Sequence, residues 1–186
     1  MENGRERKQS GCRGITGVIQ MYQLGEKVVY GGHGVCRVAG QEERLVDKRT
    51  VTYLVLEPLG QGGSQFLVPT HNEVAMSRLR HLLSPQELED LLTLDHISPA
   101  QWIREDNRRK QAYRELIGSG DRARILGMLR TLYTHRENQL ASGKKVHLCD
   151  DNFIRDAEKL ISGEIALVLE LPPDAAKQHL RQKINV

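Results

Sequence analysis

The chain has 186 residues, of which 27 are Lys or Arg and 24 are Asp or Glu, so its formal net charge is +3. This length allows one domain or two small ones, and so small a net charge does not by itself indicate a nucleic-acid-binding protein. No apolar run approaches the roughly 18 to 20 residues that span a bilayer, so we expect no membrane-spanning segment and no membrane partner.

The first twenty residues show no apolar periodicity. They contain several basic residues but no apolar h-region, which argues against a secretory signal. We predict that residues 1–20 form a disordered tail, or an upstream extension for which Met21 is the natural start.

Residues 21–83 have the pattern of a small β module. Apolar and β-branched stretches separated by glycine-rich turns predict four strands, at 27–30, 35–39, 50–56 and 65–68. Several short strands at close spacing, with no long helix among them, predict a small barrel. About sixty residues are just enough to form its core.

Residues 84–186 have the pattern of a helical module. Ser84 begins a capping box, Asp121 is the predicted N-cap of a later helix, and Asp150 or Asp151 is predicted to cap the helix after that. The apolar positions of these two later helices predict a shared core, made of Ile125, Leu126, Met128, Leu129, Leu132, Tyr133, Phe153, Ile154, Ala157, Leu160, Ile161 and Ile165.

Trp102 is the only tryptophan, and it lies where a helix start is predicted. Ser98 is the expected N-cap, and Pro99 suits the first helical position. If the helix continues, the residues three, four and seven positions after the tryptophan are all charged, namely Glu105, Asp106 and Arg109. A large aromatic side chain on such a face suits docking onto a partner, with nucleic acid the first candidate. The alternative is that Trp102 packs against the preceding helix or the other module.

The basic residues are concentrated after Trp102. Residues 84–101 carry four acidic residues and no Lys or Arg, whereas residues 102–136 carry nine Lys or Arg against four Asp or Glu. This segment gives the helical module a local positive potential that the average net charge conceals. The alternative is a solvated helical surface without a partner.

The sequence contains no catalytic constellation. The glycine-rich stretch 60–63 lacks the spacing of a phosphate-binding loop, and the chain has no G-x-x-x-x-G-K-[ST] motif. His147 and Cys149 could supply two metal ligands, but no second pair follows at the spacing of a zinc site. The three widely spaced cysteines predict free thiols in a reducing cytoplasm. We therefore expect neither an enzyme nor a bound cofactor or metal.

Three motifs of the β module follow one another in a characteristic order. The stretch 24–35 reads LGEKVVYGGHGV, and YLVL at 53–56 and LVP at 67–69 follow it. This order resembles the RNA-polymerase-interacting domain shared by CarD/CdnL transcription regulators and transcription-repair coupling factors. A short chain without a Walker A motif does not resemble the coupling-factor translocase, which leaves the CarD/CdnL family. The resemblance covers about residues 21–170.

The helical module resembles the same family. CarD-like proteins carry a tryptophan, then a basic helix, then a Ser-Gly-Asp junction. The matching residues here are Trp102, the basic residues Arg104, Arg108, Arg109 and Lys110, and the junction 119–121. The interval between the tryptophan and the junction is longer here than in the best-known relatives.

The resemblance implies an α+β fold with two domains. Residues 21–83 would form a small Tudor- or SH3-like β-barrel, and residues 84–186 a compact all-α domain that contacts DNA. The barrel would add its strand edge to the RNA polymerase β subunit. Arg44, nine residues before Tyr53, matches a contact arginine of the family, whereas Leu67 occupies the position of a second one.

The resemblance also implies how the helical module acts. Trp102 would wedge at the upstream edge of the melted promoter bubble, and the following basic residues would contact phosphate without reading sequence. The expected protein is a monomeric bacterial transcription regulator that modulates open-complex stability. It would be cytoplasmic and associated with the nucleoid through the polymerase. Two alternatives are a protein-interaction adaptor without a direct DNA role and an independent RNA- or DNA-binding protein.

Overall fold

Residues 22–60, 64–93 and 97–184 are described by the computed structural model, and they form an antiparallel sheet followed by helices. This order is the α+β arrangement that the sequence predicts. The predicted tail at 1–20 lies outside the described residues, as does most of the glycine-rich stretch 60–63.

The sheet has five antiparallel strands, namely β1 (Lys27–Tyr30), β2 (Val35–Val46), β3 (Arg49–Pro58), β4 (Phe66–Pro69) and β5 (Leu79–His81). Their order across the sheet is β4-β3-β2-β1-β5. The first four lie where the sequence predicts strands, β2 and β3 are longer than predicted, and β5 was not predicted. Among the described residues the outer strands β4 and β5 do not pair with each other, so closure into a barrel stays a prediction.

One face of the sheet carries a small apolar core, to which β2 and β3 contribute residues two positions apart, at 36 and 38 and at 54 and 56. Its members are Tyr22, Val28, Cys36, Val38, Leu54, Leu56, Val68 and Leu79. Burial raises the pKa of the Cys36 thiol to about 11. A thiol in such surroundings is an inert core residue and not a nucleophile.

A β-bulge divides β2 into a buried part and an exposed part. Ala39 is an extra residue in β2, since its two neighbours pair with consecutive residues of β3. Beyond it, residues 41–46 are all exposed, and the turn residues 47–48 have φ values of 49° and 63°, which are typical of a two-residue hairpin. We refer to residues 42–53 as the distal hairpin.

The helices are α1 (Glu73–Met76), which lies between β4 and β5, and then α2 (Pro85–Leu91), α3 (Asp106–Ser119), α4 (Arg122–Ala141), α5 (Leu148–Val168) and α6 (Pro173–Ile184). Within the described ranges, none of these helices has the length and apolar character needed to cross a membrane. Every position predicted for the core of α4 and α5 is buried, which confirms that part of the sequence analysis.

Two of the predicted helix caps are confirmed. Ser84 forms a complete capping box with Glu87 at the start of α2, and Asp121 caps α4. Each cap satisfies backbone N–H groups that have no partner within the first helical turn. The boundaries of α2 and α4 therefore follow from local sequence.

The predicted cap at Asp150 or Asp151 is wrong. The N-cap of α5 is His147, whose ring nitrogen Nδ1 accepts a hydrogen bond from the backbone N–H of Cys149. Asp150 lies in the first turn of α5 and is buried, because its carboxylate is the partner of the buried Arg109 guanidinium. Burial of an arginine charge is costly without an opposite charge nearby. The sequence alone does not show that Asp150 supplies this charge.

The sheet and the helices meet where two glycine-rich segments touch. A Cβ placed on Gly31 would lie 2.8 Å from the carbonyl oxygen of Gly118, and one placed on Gly120 would lie 2.9 Å from the Cα of Gly31. Gly31 and Gly120 also have left-handed φ values of 46° and 67°. We refer to this contact as the module junction, and it brings the backbones of the two modules together without intervening side chains.

An ion pair reinforces the module junction. Arg122 of α4 donates two hydrogen bonds of 2.7 Å to the carboxylate of Glu164 on α5, and a third of 2.7 Å to the carbonyl of His81. The backbone N–H of Leu83 donates to the same carboxylate at 3.2 Å. Both charged side chains are largely buried. Their hydrogen bonds to His81, the last residue of β5, and to Leu83 connect this part of the chain to the helical module.

Candidate functional site

Trp102 lies on an irregular segment, and the helix predicted to start at Ser98 is not formed. Residues 97–105 have no helical structure, and α3 begins only at Asp106 with Glu105 as its N-cap. We refer to residues 97–105 as the strap. Because the tryptophan precedes the helix, its neighbours are set by tertiary packing and not by helical spacing.

The strap lacks helical structure because its backbone forms hydrogen bonds with α4 and not within itself. The N–H of Ala100 donates to the carbonyl oxygen of Gly127 at 3.2 Å, and the hydroxyl of Thr131 donates to the carbonyl of Ala100 at 2.8 Å. Gly127 permits this approach, since a Cβ at that position would lie 2.3 Å from the carbonyl oxygen of Ser98. These contacts hold the strap in a fixed position on one face of α4.

The Trp102 ring packs on the helices and remains partly exposed. It stacks on the ring of His135 with centres 3.7 Å apart and an angle of 21° between the planes. The guanidinium carbon of Arg109 lies 4.6 Å from the centre of the indole ring, within the range of a cation–π contact. The indole is therefore held by two basic side chains while part of its surface faces solvent.

Arg109 is buried and does not lie on the exposed basic surface where the sequence analysis places it. Its side chain is 4% exposed and donates to both carboxylate oxygens of Asp150, at 3.0 and 3.2 Å. It also pairs with Asp106 at 2.9 Å and donates to the carbonyl of Ile103 at 3.0 Å. Burial by itself would lower the pKa of Arg109, but the hydrogen bonds and charges of the two carboxylates outweigh burial and raise it. This arrangement makes Arg109 a positioning residue for Trp102.

The other basic residues predicted to contact DNA lie at the surface. Arg104 and Arg108 are exposed, and Lys110 is partly exposed. In the described part of the chain, the side chains of these three residues form no ion pair or hydrogen bond. We refer to Trp102 with these three bases as the Trp102 surface. Because Arg108 and Lys110 are two positions apart on α3, they point to different sides of that helix.

Arg44 and Tyr53 lie on the same face of the distal hairpin. In the register of β2 and β3, Glu42 is opposite Tyr53 and Arg44 is opposite Val51, and opposed residues share a face. The Nε of Arg44 donates to the carboxylate of Glu42 at 2.9 Å, and both side chains are exposed. The structure thus brings together the two residues predicted to contact the polymerase.

The distal hairpin also presents an open backbone edge and apolar side chains. Because β4 pairs only with residues 53–56 of β3, residues 49–51 have no described strand partner on that side. Leu45 is 75% exposed and Val46 is 41% exposed. Leu67, at the position of the second family arginine, is an apolar residue of β4 opposite Val55, within the paired part of β3. An exposed edge with apolar side chains is typical of a surface that pairs with another chain.

Sequence reasoning missed three residues that build the Trp102 surface. His135 stacks on the indole ring, Asp150 pairs with Arg109 beside it, and Gly127 allows the strap to contact the backbone of α4. No spacing rule connects the first two with Trp102. Gly127 did carry a signal, because glycine inside an apolar helix is destabilising unless a close backbone contact requires it.

A comparison with protein-family models bears on the sheet module. Residues 22–80 match the family described as the CarD-like/TRCF RID domain. The match includes the whole distal hairpin and the open edge of β3, and it ends before the helical module. It therefore concerns the surface with Arg44 and Tyr53, and the Trp102 surface rests on its geometry alone.

Proposed function

Residues 22–80 belong to the CarD-like/TRCF RID family, a domain that interacts with RNA polymerase, and from this premise we propose how the chain regulates transcription. It binds the polymerase β subunit through the distal hairpin and holds the Trp102 surface against promoter DNA at the upstream edge of the melted region. It thereby changes the stability of the open complex. The family match is the observation that carries this proposal.

Polymerase binding is assigned to the open edge of β3. A strand of the β subunit that pairs with residues 49–51 would gain main-chain hydrogen bonds, which supply affinity. Arg44 and Tyr53 on the hairpin face, together with the exposed Leu45, would supply side-chain contacts. Binding frees Arg44 from Glu42 at little cost, because an exposed ion pair contributes at most about 1 kcal/mol.

DNA contact is assigned to the Trp102 surface. Arg104, Arg108 and Lys110 are exposed or partly exposed cations that can neutralise phosphates without reading base sequence. The exposed part of the indole can occupy a base step at the bubble edge, where melting has already met the cost of unstacking. Stabilising the open state by about 1.4 kcal/mol shifts its equilibrium roughly tenfold.

The module junction links these two contacts. Once the hairpin is bound, the helical module is held near the promoter at high effective concentration, so its own affinity for DNA can be weak. Glycine-to-glycine backbone contact and the buried Arg122–Glu164 pair favour a fixed orientation between the two surfaces. A fixed orientation reduces the entropy that a flexible linker would lose on binding.

The lifetime of the open complex on one promoter tests this function. Lifetimes are compared without the protein, with the wild type, and with Trp102→Ala, after polymerase binding by each form has been measured. We expect the wild type to change the lifetime and Trp102→Ala to lose that change while it still binds polymerase. If Trp102→Ala retains the full effect, the indole has no role at the bubble and this part of the proposal fails.

A protein-interaction adaptor is the second candidate, and a specific observation favours it. The indole stacks on His135 and the neighbouring Arg109 is buried, as expected if Trp102 mainly packs the strap onto the helices. A forked promoter fragment that quenches Trp102 emission of the isolated chain supports the DNA role. Emission that is blue-shifted, resistant to iodide and unchanged by the fragment supports the adaptor.

A further inference from the structure

Two neighbouring hollows lie at the module junction, away from Trp102 and from the distal hairpin. The first is a cavity of about 260 Å³ whose walls include residues 31–33 and Arg78 from the sheet module, Arg114 from α3 and Asp156 from α5. The second, of about 520 Å³, shares Arg78 and Arg114 with the first and adds Arg80. The arginines that line these hollows thus come from both modules.

These arginines differ from the ion-paired arginines of the protein in having no carboxylate partner among the described residues. Arg37, Arg44, Arg109, Arg122 and Arg181 each pair with an Asp or a Glu. In the described ranges, no ion pair or side-chain hydrogen bond engages the three junction arginines, Arg78, Arg80 and Arg114. Three guanidinium groups around a concave surface create a local positive potential.

The acidic residues that line the hollows offset this potential only in part. Glu115 accepts a hydrogen bond of 2.9 Å from the amide Nε2 of Gln111, one turn earlier on α3. Asp156 is the other carboxylate on the walls. Burial lowers the pKa of His33, and the positive charge of Arg78 lowers it further, so this ring is a neutral part of the wall near pH 7.

We propose that the junction hollows bind a phosphate group, held by Arg78 and Arg114 with support from Arg80. The planar guanidinium fork matches the oxygens of a phosphate and forms bidentate hydrogen bonds with it. The first cavity, of about 260 Å³, has room for a phosphate or pyrophosphate group, and the second, of about 520 Å³, leaves space for the molecule that carries this group. The phosphate can belong to a free phosphorylated molecule or to a nucleic-acid backbone.

Binding at this site would bridge the two modules, because Arg78 and Arg114 approach the ligand from opposite sides of the junction. A ligand that binds only the folded, closed arrangement raises the stability of that arrangement by mass action. The site contains neither Trp102 nor any basic residue of the Trp102 surface. Its test therefore does not depend on the proposed role at the promoter.

The experiment uses the full chain and has two arms. In the first, sodium pyrophosphate is titrated and binding is followed by calorimetry and by thermal unfolding. In the second, a short DNA duplex is titrated at several salt concentrations. Arg78→Gln and Arg114→Gln are compared with Lys159→Gln, which removes an exposed charge from α5 at a position outside both hollows.

We expect about tenfold weaker phosphate binding for each arginine variant and no change for Lys159→Gln. Asp156→Asn removes an opposing charge and should bind more tightly than the wild type. Loss confined to the pyrophosphate arm identifies a free phosphorylated ligand. Loss confined to the DNA arm, with a salt slope smaller by about one per variant, identifies a backbone phosphate.

Two results would overturn the proposal. One is a wild type that binds neither pyrophosphate nor DNA at low salt. The other is binding in either arm that the three variants at Arg78, Arg114 and Asp156 leave unchanged. Unfolding curves of the apo variants are the folding control, and both Arg78 and Arg114 are exposed, so neither substitution removes a core side chain.

Discussion

The guanidinium carbon of Arg109 lies 4.6 Å from the centre of the Trp102 ring, and the same guanidinium donates two hydrogen bonds to Asp150. The single tryptophan is therefore coupled to the first turn of α5, which lies about fifty positions away in the sequence. Any change that weakens the Arg109–Asp150 ion pair should alter the position and the solvent exposure of the indole ring. The stability of the protein and the position of the indole ring are linked at this point of the molecule.

Arg109→Ala should destabilise the protein by about 3 to 5 kcal/mol, because it leaves the Asp150 carboxylate buried without its partner. The measurement is the free energy of unfolding in urea. Arg108→Ala is the matched control, since Arg108 is the exposed neighbour and should change stability by less than about 0.5 kcal/mol. Equal effects of the two substitutions would contradict the assignment of Arg109 as a buried positioning residue.

Gly127→Ala should lower the thermal unfolding midpoint although alanine favours helices. Its Cβ would lie 2.3 Å from the carbonyl oxygen of Ser98, so the strap must move, at a cost of about 1 to 3 kcal/mol. Gly163→Ala is the matched control, because its new Cβ would meet no atom within 4 Å apart from its chain neighbours and the backbone of its own helix. This change should stabilise α5 by about 0.5 to 1 kcal/mol.

Trp102 emission supplies a second readout for this pair of variants. Gly127→Ala should shift the emission to the red and increase quenching by iodide, since displacement of the strap exposes the indole. Gly163→Ala should leave both properties as in the wild type. A stable Gly127→Ala protein with unchanged emission would show that the strap does not pack closely against Gly127.

Arg44→Glu should weaken binding to RNA polymerase by at least about tenfold, because it reverses a charge on the hairpin face proposed to meet the β subunit. Equilibrium binding to the polymerase measures the effect. Lys145→Glu makes the same charge change at an exposed position between α4 and α5, and it should bind as the wild type does. Unchanged affinity of Arg44→Glu would remove Arg44 from the interface.

Glu158 should make stability depend on pH in the acid range. Burial by itself raises the pKa of this carboxyl, but hydrogen bonds from Arg181, Tyr133 and Lys177 outweigh burial and lower the pKa to about 2. Since the folded value lies below the ordinary 4.5, the contribution is complete above pH 4.5 and is lost as the pH falls toward 2. The amount is on the order of 3 kcal/mol.

Urea unfolding at several pH values between about 2 and 6 measures this contribution. Glu158→Gln removes the titrating group, so its stability should fall less steeply with acid than that of the wild type. Glu43→Gln, at an exposed position of the distal hairpin, should retain the steep dependence. Parallel curves for the wild type and Glu158→Gln would show that other groups cause the acid loss.

Much of the fold follows from local sequence. Ser84 and Asp121 begin their helices because their side chains satisfy free N–H groups within one turn, and such caps depend on neighbouring residues only. Apolar and β-branched stretches between glycine-rich turns predicted four strands, and the periodicity of α4 and α5 predicted their core. The bulge at Ala39 and strand β5 were missed, because both depend on pairing with distant strands.

The sequence by itself determined the order of the modules, the residues of the helical core and the domain family of residues 22–80. These properties follow from patterns that extend over a few neighbouring residues. Only the tertiary structure decided that Trp102 lies on a strap and that Arg109 is buried beside it. Their environment comes from α4 and α5, and the backbone contact at Gly127 and the charge of Asp150 outweigh the local helix-start signal.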